Sequence, residues 1–409
     1  MYSKNLMKLC FFSVLFGSFY SCSETPKTIE KIEFSTDYKF HTQIQQKLKK
    51  DTVVWKYQIS AADYATKGDY KNALLQWDLA MPGRERNYTI SQVDSLKALY
   101  TVTNAKEFIV AEAAKNQVVI INEAHHNSMH RMFTKSLLED LYTAGYRYLL
   151  LEALGNGKYI DAKLNTRKYP IQKTGYYTKD PQFGNLIRTA LELGFTIFPY
   201  EATENVNGKQ REIAQAKNIK KVIENDPKAK FLIHCGFDHV LEGKHRSWEK
   251  AMAERLKEFT GIDPFTIHQV MYSQRGNITY NHPMSKAFNV KNSSILLDKN
   301  NQPYKYTRRE TWSDIAVFHP TTSYIDTRPN WLFANENRKV MIDLKPIVIE
   351  FPVMILAYKK GEVIKNAVPV DITEAETRTS ICNLGLQTGS YEIVITNGKE
   401  SVIFDEVVK

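Results

Sequence analysis

Cysteine is scarce in this chain, four in 409 residues, and that scarcity excludes a fold stapled by disulfides. Cys10 lies in an apolar N-terminal stretch and Cys22 just after it, which leaves Cys235 and Cys382, far apart in sequence. Disulfide-dependent domains are small and cysteine-dense. A basic tract is missing too. The formal net charge is +10, yet the 55 basic residues are scattered and the longest clusters are pairs such as Lys49-Lys50, Lys220-Lys221 and Arg308-Arg309. Nucleic-acid binders gather their charge on one face with aromatics interleaved, so no nucleic-acid partner is expected. No HExxH or tight His-x-His pair marks a metal site by itself.

What is there begins at the N-terminus. Lys4 and Lys8 precede an apolar stretch, Leu9 to Phe16, too short to span a bilayer but suited to a secretory signal. It ends at Phe19-Tyr20-Ser21-Cys22, which resembles a bacterial lipobox with a bulkier Phe and Tyr than usual. That resemblance implies a signal peptide over residues 1–21, a lipid on Cys22, and anchoring to a membrane of the bacterial cell envelope. Glu24, just beyond, resembles a surface-export signal and extends the expectation to the outer-membrane surface. Without apolar periodicity a segment cannot offset its ordering entropy, so residues 22–39 are expected to form a tether.

The remaining length exceeds what one core organises, and two or three domains are expected. Residues 40–105 read as helical. Ala61, Tyr64 and Ala65, then Ala73, Leu74, Trp77 and Ala80, recur at helical spacing around Gly68-Asp69-Tyr70, like half of a tetratricopeptide repeat. Such repeats need stacked neighbours and no second copy follows, so a helical hairpin packed on the main domain is expected. Over 106–340, strand patterns at 117–122, 147–152, 195–200, 230–235 and 265–271 alternate with helical ones, among them Met132 to Tyr142, Gln182 to Leu193, Lys209 to Ile223 and Trp248 to Phe259. That alternation predicts an α/β fold: a mainly parallel sheet with helices on both faces, preceded by the short helical segment. Within 341–409, Ile347–Ile349, Val353–Leu356 and Tyr391–Ile395 alternate with turn signals at Lys360-Gly361-Glu362 and Asn397-Gly398, which predicts a small β-sandwich.

A parallel sheet brings all carboxyl strand ends to one edge, where such sheets bind ligands. The residues that follow each strand are Glu123 and His125; Glu152; Glu201 with Glu204; Asp238 and His239; and His268 with Gln269. Loops are polar in any protein, but four or five consecutive strands finishing in carboxylate or imidazole point to a site for activating water or holding a metal. Asp314 and His319 are secondary candidates, and Asp326–Trp331 is expected at the pocket's rim. His126 reads as exposed, and Met129, Met132 and Phe133 read as a buried stripe. Cys235, inside a strand, reads as an inert buried thiol.

Two of these strand ends echo each other: Asn122-Glu123-Ala124-His125 and Gly236-Phe237-Asp238-His239. Between them lies Arg211-Glu212-Ile213-Ala214-Gln215-Ala216-Lys217-Asn218. Paired Gly-x-x-His elements, the first carrying Glu, with an Arg-acidic helix between, resemble the superfamily of the erythromycin esterases, the ChaN-type haem-binding lipoproteins, the TraB proteins and the Tiki proteases. Asn122 departs from the usual Gly, and Gln215 and Lys217 from the usual Met and Glu. The resemblance covers roughly residues 105–340. It implies a hydrolase, metal-dependent or not, that cleaves an ester, lactone or amide in a small-molecule or peptide substrate. Glu123 would be general base or metal ligand, His125 and His239 metal ligands or electrophiles, and Glu152 and Glu201 support. Arg211 would pair with those carboxylates or clamp a substrate carboxylate or phosphate. A divalent Mn, Zn or Fe is the expected ion. The alternative is a non-catalytic binder of haem or iron, with His130 as the cofactor ligand. The segment 153–181, with Tyr159, Tyr169, Tyr176 and Tyr177, reads either as an aromatic lid over a flat or sugar-like ligand or as a loop with surface tyrosines.

Overall fold

The computed structural model describes residues 27–409; the expected signal peptide and Cys22 lie outside the described residues. Six strands form the central sheet: β1 (Val118–Glu123), β2 (Tyr146–Leu151), β3 (Thr196–Pro199), β4 (Lys230–Gly236), β5 (Phe265–His268) and β6 (Ile315–Ala316). All are parallel, in the spatial order β6-β5-β1-β4-β2-β3. Val118 through Ile121 are buried on both sides of β1, as a strand covered on both faces must be.

Helices α1 (His41–Lys50), α2 (Lys56–Thr66), α3 (Tyr70–Ala80), α4 (Ile90–Leu99) and α5 (Ala105–Ala113) precede the sheet. Four more cross over between its strands: α6 (Met129–Thr143), α7 (Pro181–Leu193), α8 (Lys209–Asn225) and α9 (Met252–Thr260). Leu137, Leu138, Leu186 and Ile187 of α6 and α7 pack with Val119, Ile121, Leu149 and Leu151. Ala216, Ile219, Ile223 and Leu256 of α8 and α9 pack with Val118, Ile120, Leu150 and Ile233 on the other face. The expected α/β class is therefore the observed one. The chain leaves β1 toward α6 and leaves β4 toward α9, so neighbouring strands send their chains to opposite faces. Between their carboxyl ends opens a crevice of the kind in which such sheets bind ligands.

The strand order adds what periodicity does not carry. β4 inserts between β1 and β2, so the two echoing elements lie side by side, with Glu123 opposite Gly236 in register. Asn122 ties three strand ends together: its Nδ2 donates to the Phe237 carbonyl at 2.7 Å and its Oδ1 accepts from the Gln269 N–H at 2.8 Å.

The ends of the chain differ from expectation. Lys27–Glu30 pairs antiparallel with Glu400–Ile403, and Tyr38 is buried, so from Lys27 on the expected tether is part of the fold. Residues 40–105 hold four helices and a strand, Tyr100–Asn104, that pairs with Ser294–Asp298. The hairpin itself is α2 and α3, joined at Gly68 (φ +76°), where a Cβ would lie 2.1 Å from the Ile372 carbonyl oxygen. Arg328 donates to the Gly68 carbonyl at 2.8 Å and pairs with Asp371 at 2.5 Å, both groups buried. The segment expected at the pocket's rim thus fastens the hairpin to the C-terminal sheet. That sheet has five antiparallel strands, Lys27–Glu30, Glu400–Val408, Gly389–Thr396, Val353–Lys359 and Asp371–Ala375 in order. The pair Arg338–Ile342 and Cys382–Leu386 packs on it to complete a small sandwich. Ile347–Ile349 belongs to no strand.

Candidate active site

β1 ends in a carboxylate with both oxygens engaged. Arg131, from the first turn of α6, reaches Glu123 Oε2 with Nε and Oε1 with Nη2, each at 2.7 Å, and its Nη1 lies 2.9 Å from Asp180. All three groups are buried. Burial alone would raise the Glu123 pKa, but the Arg131 guanidinium, aided by His125 and His234, holds it well below the usual carboxylate range. Glu123 is therefore a fixed anion. Its Oε1 meets His125 Nδ1 at 2.9 Å, which sets the ring's orientation and leaves the Nε2 edge free of any hydrogen bond among the described residues.

The imidazole of His125 stacks on Tyr177 with ring centres 3.9 Å apart and meets Phe237 edge-on at 5.2 Å. It lies over Gly236: a Cβ there would come within 2.4 Å of its Cε1 and 2.5 Å of its Nε2. Only glycine fits. The glycine of the second element thus makes room for the histidine of the first.

The second histidine is built differently. His239 Nδ1 lies 2.8 Å from Glu212, while Nε2 lies 3.0 Å from Arg211 Nη1 and 3.4 Å from Glu152. Burial pushes its pKa down, but the anions of Glu152 and Glu212 outweigh burial and raise it. Arg211 opposes the proton, because at 3.0 Å a neutral Nε2 accepts its N–H and a protonated one cannot. Arg211 also reaches Glu152 with Nη2 at 2.5 Å and Glu201 with Nε at 3.0 Å. Glu152 accepts the Gly236 backbone N–H as well. Burial would raise its pKa; His239, His125 and Arg211 together hold it down at about 2.

One face of α8 accounts for the helical motif. Arg211, Gln215 and Asn218, at i, i+4 and i+7, all contact the end of β3: Gln215 Nε2 lies 3.2 Å from both Glu201 oxygens, and Asn218 Nδ2 donates to the Tyr200 and Glu201 carbonyls at 3.1 Å.

Above this floor lies a cavity of about 970 Å³. His125, Glu152, Glu201 and Arg211 line its base, and the segment from Ala153 to Lys179, including Tyr159, Tyr176 and Tyr177, forms its walls. On the far side of His125 and Tyr177 a smaller pocket of about 230 Å³ is lined by Trp55 and Trp77 of the helical region and by Phe237.

Six expected residues, Glu123, His125, Glu152, Glu201, Arg211 and His239, thus meet in one place. His130 does not: it is fully buried, its Nδ1 accepts the Ala124 N–H at 3.0 Å and its Nε2 lies 2.6 Å from Ser273 Oγ. His126, expected exposed, is buried with its ring stacked on Trp77 at 4.1 Å. His268 stacks on Tyr306, His319 bonds Ser293 and Gln269, and Asp314 holds Thr266, all away from the cavity. Asp238 pairs with Arg308, and Glu204 is exposed in a loop. Cys235 is buried, its thiol pushed well up by burial, as expected of an inert group. Both Cys235 and Cys382 are free.

Arg131, Asp180 and Glu212 are the participants that sequence reading passed over. Glu212 lies beside Arg211 in the helical motif. Arg131 carried no signal beyond lying six residues after His125, and Asp180 reads as the helix cap it also is, accepting from the Gln182 and Phe183 N–H groups.

The expected metal set does not fit as it stands. Arg131 takes both oxygens of Glu123, and the Arg211 guanidinium occupies the space between Glu152, Glu201 and His239 where a cation would sit. Among the described residues no cluster of three His, Cys, Asp or Glu side chains has metal-binding geometry.

No protein-family model matches the sequence, and no curated protein matches it. Solved structures do. The type III effector HopBA1 is 11% identical at a TM-score of 0.35, over 56% of this chain and 99% of its own. RRSP, a MARTX toxin effector domain from Vibrio vulnificus, is 17% identical at 0.29, over 53% and 43%. A structure described as bacterial protein toxins is 16% identical at 0.31, over 51% and 46%. This chain spans less than half the length of the latter two.

Proposed function

We propose that this protein is a hydrolase of the erythromycin esterase type, acting on an ester, lactone or amide from a lipid anchor in the bacterial cell envelope. One observation carries the reading: an imidazole fixed by a buried carboxylate presents a free nitrogen at the base of a large cavity. The roles proposed here differ from those the resemblance implies. Glu123, anionic and doubly held by Arg131, is a positioning residue, and His125 is the general base.

In the reaction, water beside the substrate carbonyl passes its proton to His125 Nε2, and Glu123 stabilises the imidazolium through Nδ1–H. Hydroxide adds to the carbonyl carbon. Glu152, Glu201 and His239 engage at most four of the five N–H donors of Arg211, and the remaining one, on Nη1, can donate to the developing oxyanion. The Tyr177 hydroxyl, with no bond among the described residues and a pKa pushed up to about 12 by burial, stays protonated and can donate as well. Collapse of the tetrahedral adduct sends the imidazolium proton to the leaving oxygen or nitrogen. Bases of this kind contribute about 10²–10⁴-fold and single oxyanion donors about 10²–10³-fold.

Purified protein assayed on p-nitrophenyl esters, lactones and aryl amides should turn over at least one class, and His125→Ala should abolish that turnover. Full activity in the variant would sink the proposal. EDTA is expected to leave the rate unchanged; loss restored by Mn, Zn or Fe would reinstate a metal role. For the anchor, Cys22→Ser should abolish incorporation of labelled palmitate.

A further inference from the structure

The cavity's charge is not explained by hydrolysis alone. Its basic lining residues are Lys158, Lys163, Lys173, Lys179 and Arg211, and its acidic ones Glu152, Asp161 and Glu201. Every one of these carboxylates is already engaged: Glu152 and Glu201 by Arg211, and Asp161 by Arg167 and by the Thr174 hydroxyl. None of the four lysines has a carboxylate at ion-pairing distance among the described residues. The floor of the cavity is internally neutralised, and its roof is not.

Lysines on an exposed loop ordinarily face water, and three of these are exposed. Two features argue for more. All four belong to one segment, 158–179, that closes around a concave space walled by Leu154, Ile160 and tyrosines, where low-dielectric surroundings concentrate a field that a convex surface would disperse. Two of them are also arranged with their Nζ atoms over aromatic rings of the same wall, Lys158 at 5.1 Å from Tyr159 and Lys179 at 5.8 Å from Tyr176. Lys179 is partly withdrawn from solvent, and burial, with Lys39 nearby, lowers its pKa, although Asp63, itself paired with Lys39, acts in the opposite sense. A counter-anion would relieve that cost.

We propose that the cavity selects a soluble anionic substrate, whose carboxylate or phosphate is received by the lysine roof while its scissile carbonyl lies against His125. The proposal deepens the hydrolase reading and rests on it for the position of the carbonyl. It commits to a molecule that enters the cavity, since the lysines surround a hollow and do not form a flat face for a membrane.

The test has two arms. In the first, kcat/KM is compared for the p-nitrophenyl half-ester of glutarate, an anion, and for neutral p-nitrophenyl butyrate. The anion should be preferred by about tenfold or more at low salt, the lower end of what focused fields give. The preference should vanish in the double variant Lys158→Glu, Lys173→Glu, and shrink in 0.5 M NaCl. In the second, binding of the trisulfonated dye pyranine to the His125→Ala protein is followed by fluorescence polarisation. The same charge reversal should weaken it about tenfold. Ester cleavage without anion preference overturns the inference and leaves the hydrolase reading standing. Dye binding that depends on the lysines, with no ester cleaved, does the reverse. Neither preference nor dye binding, or lysine-dependent binding to phosphatidylglycerol vesicles alone, overturns the inference.

Discussion

Glu123 grips His125 at 2.9 Å and Glu212 grips His239 at 2.8 Å, yet the far nitrogens of the two rings are left in different surroundings. Around the first, positive charge is placed on the carboxylate: Arg131 saturates Glu123, and the far nitrogen of His125, at the cavity's base, has no hydrogen bond among the described residues. Around the second, it is placed on the imidazole: Arg211 approaches the far nitrogen of His239, with Glu152 behind it, and no edge is left for substrate. An imidazole becomes a base when its orienting carboxylate is locked and its other nitrogen is free. Where the arginine sits decides which histidine that is.

The comparison breaks most visibly at His125. His125→Ala should lower kcat by about 10²–10⁴-fold, while His239→Ala should fall well short of that; equal losses would mean that the two imidazoles share the chemistry. Next in size is Glu123→Gln. Removing the charge leaves Arg131 buried with Asp180 as its one carboxylate partner, so a loss on the order of 3–5 kcal/mol is expected from a broken buried pair, read as a lower melting temperature. Activity should fall too, by about 10² or more. The informative measurement is the double variant with His125→Ala: if Glu123 acts through His125, the double should be no slower than His125→Ala alone, while the stability loss persists. An additive loss of rate would give Glu123 a role of its own. Third is His239→Gln, which frees Arg211 to turn toward Glu152 and Glu201. We expect about a tenfold fall in kcat, with a pH profile altered from the parent's, which a purely structural change would not produce.

Much of this arrangement is legible in the sequence because the sheet is parallel. Periodicity places β1 through β5, right-handed crossovers align their carboxyl ends, and the residues after them can then be read in turn. Glu152 and Glu201 came from that rule alone. The same rule overreached at His268, because β5 lies on the far side of β1 and its end is covered by Tyr306. Strand order decides which ends share a crevice, and order is a long-range property that local patterns do not encode. His130 misled for a related reason: a ring that can ligate can equally cap its own helix entry, and here it bonds the Ala124 N–H. The N-terminal strand Lys27–Glu30 is polar and exposed, so nothing in its composition betrays a backbone that pairs with Glu400–Ile403.

The smallest expected effect separates the two halves of the comparison by pH. His239 has a folded pKa above its unfolded value, so its contribution to stability is fully present below about 6.5 and is lost as pH rises through the raised value. Glu152, depressed to about 2, contributes stability that is present above its unfolded pKa near 4.5 and lost as pH falls toward 2. His268 and His319, each held neutral by burial with a pKa of about 3, favour unfolding once pH drops below 6.5, since only the unfolded chain then takes up their protons. Melting temperature should therefore decline on both sides of a maximum near pH 6 to 7, steeply toward acid and gently toward alkali. His239→Gln should flatten the alkaline slope alone. If the variant keeps that slope, the second imidazole is neutral in the folded protein and Arg211 outweighs the two carboxylates around it.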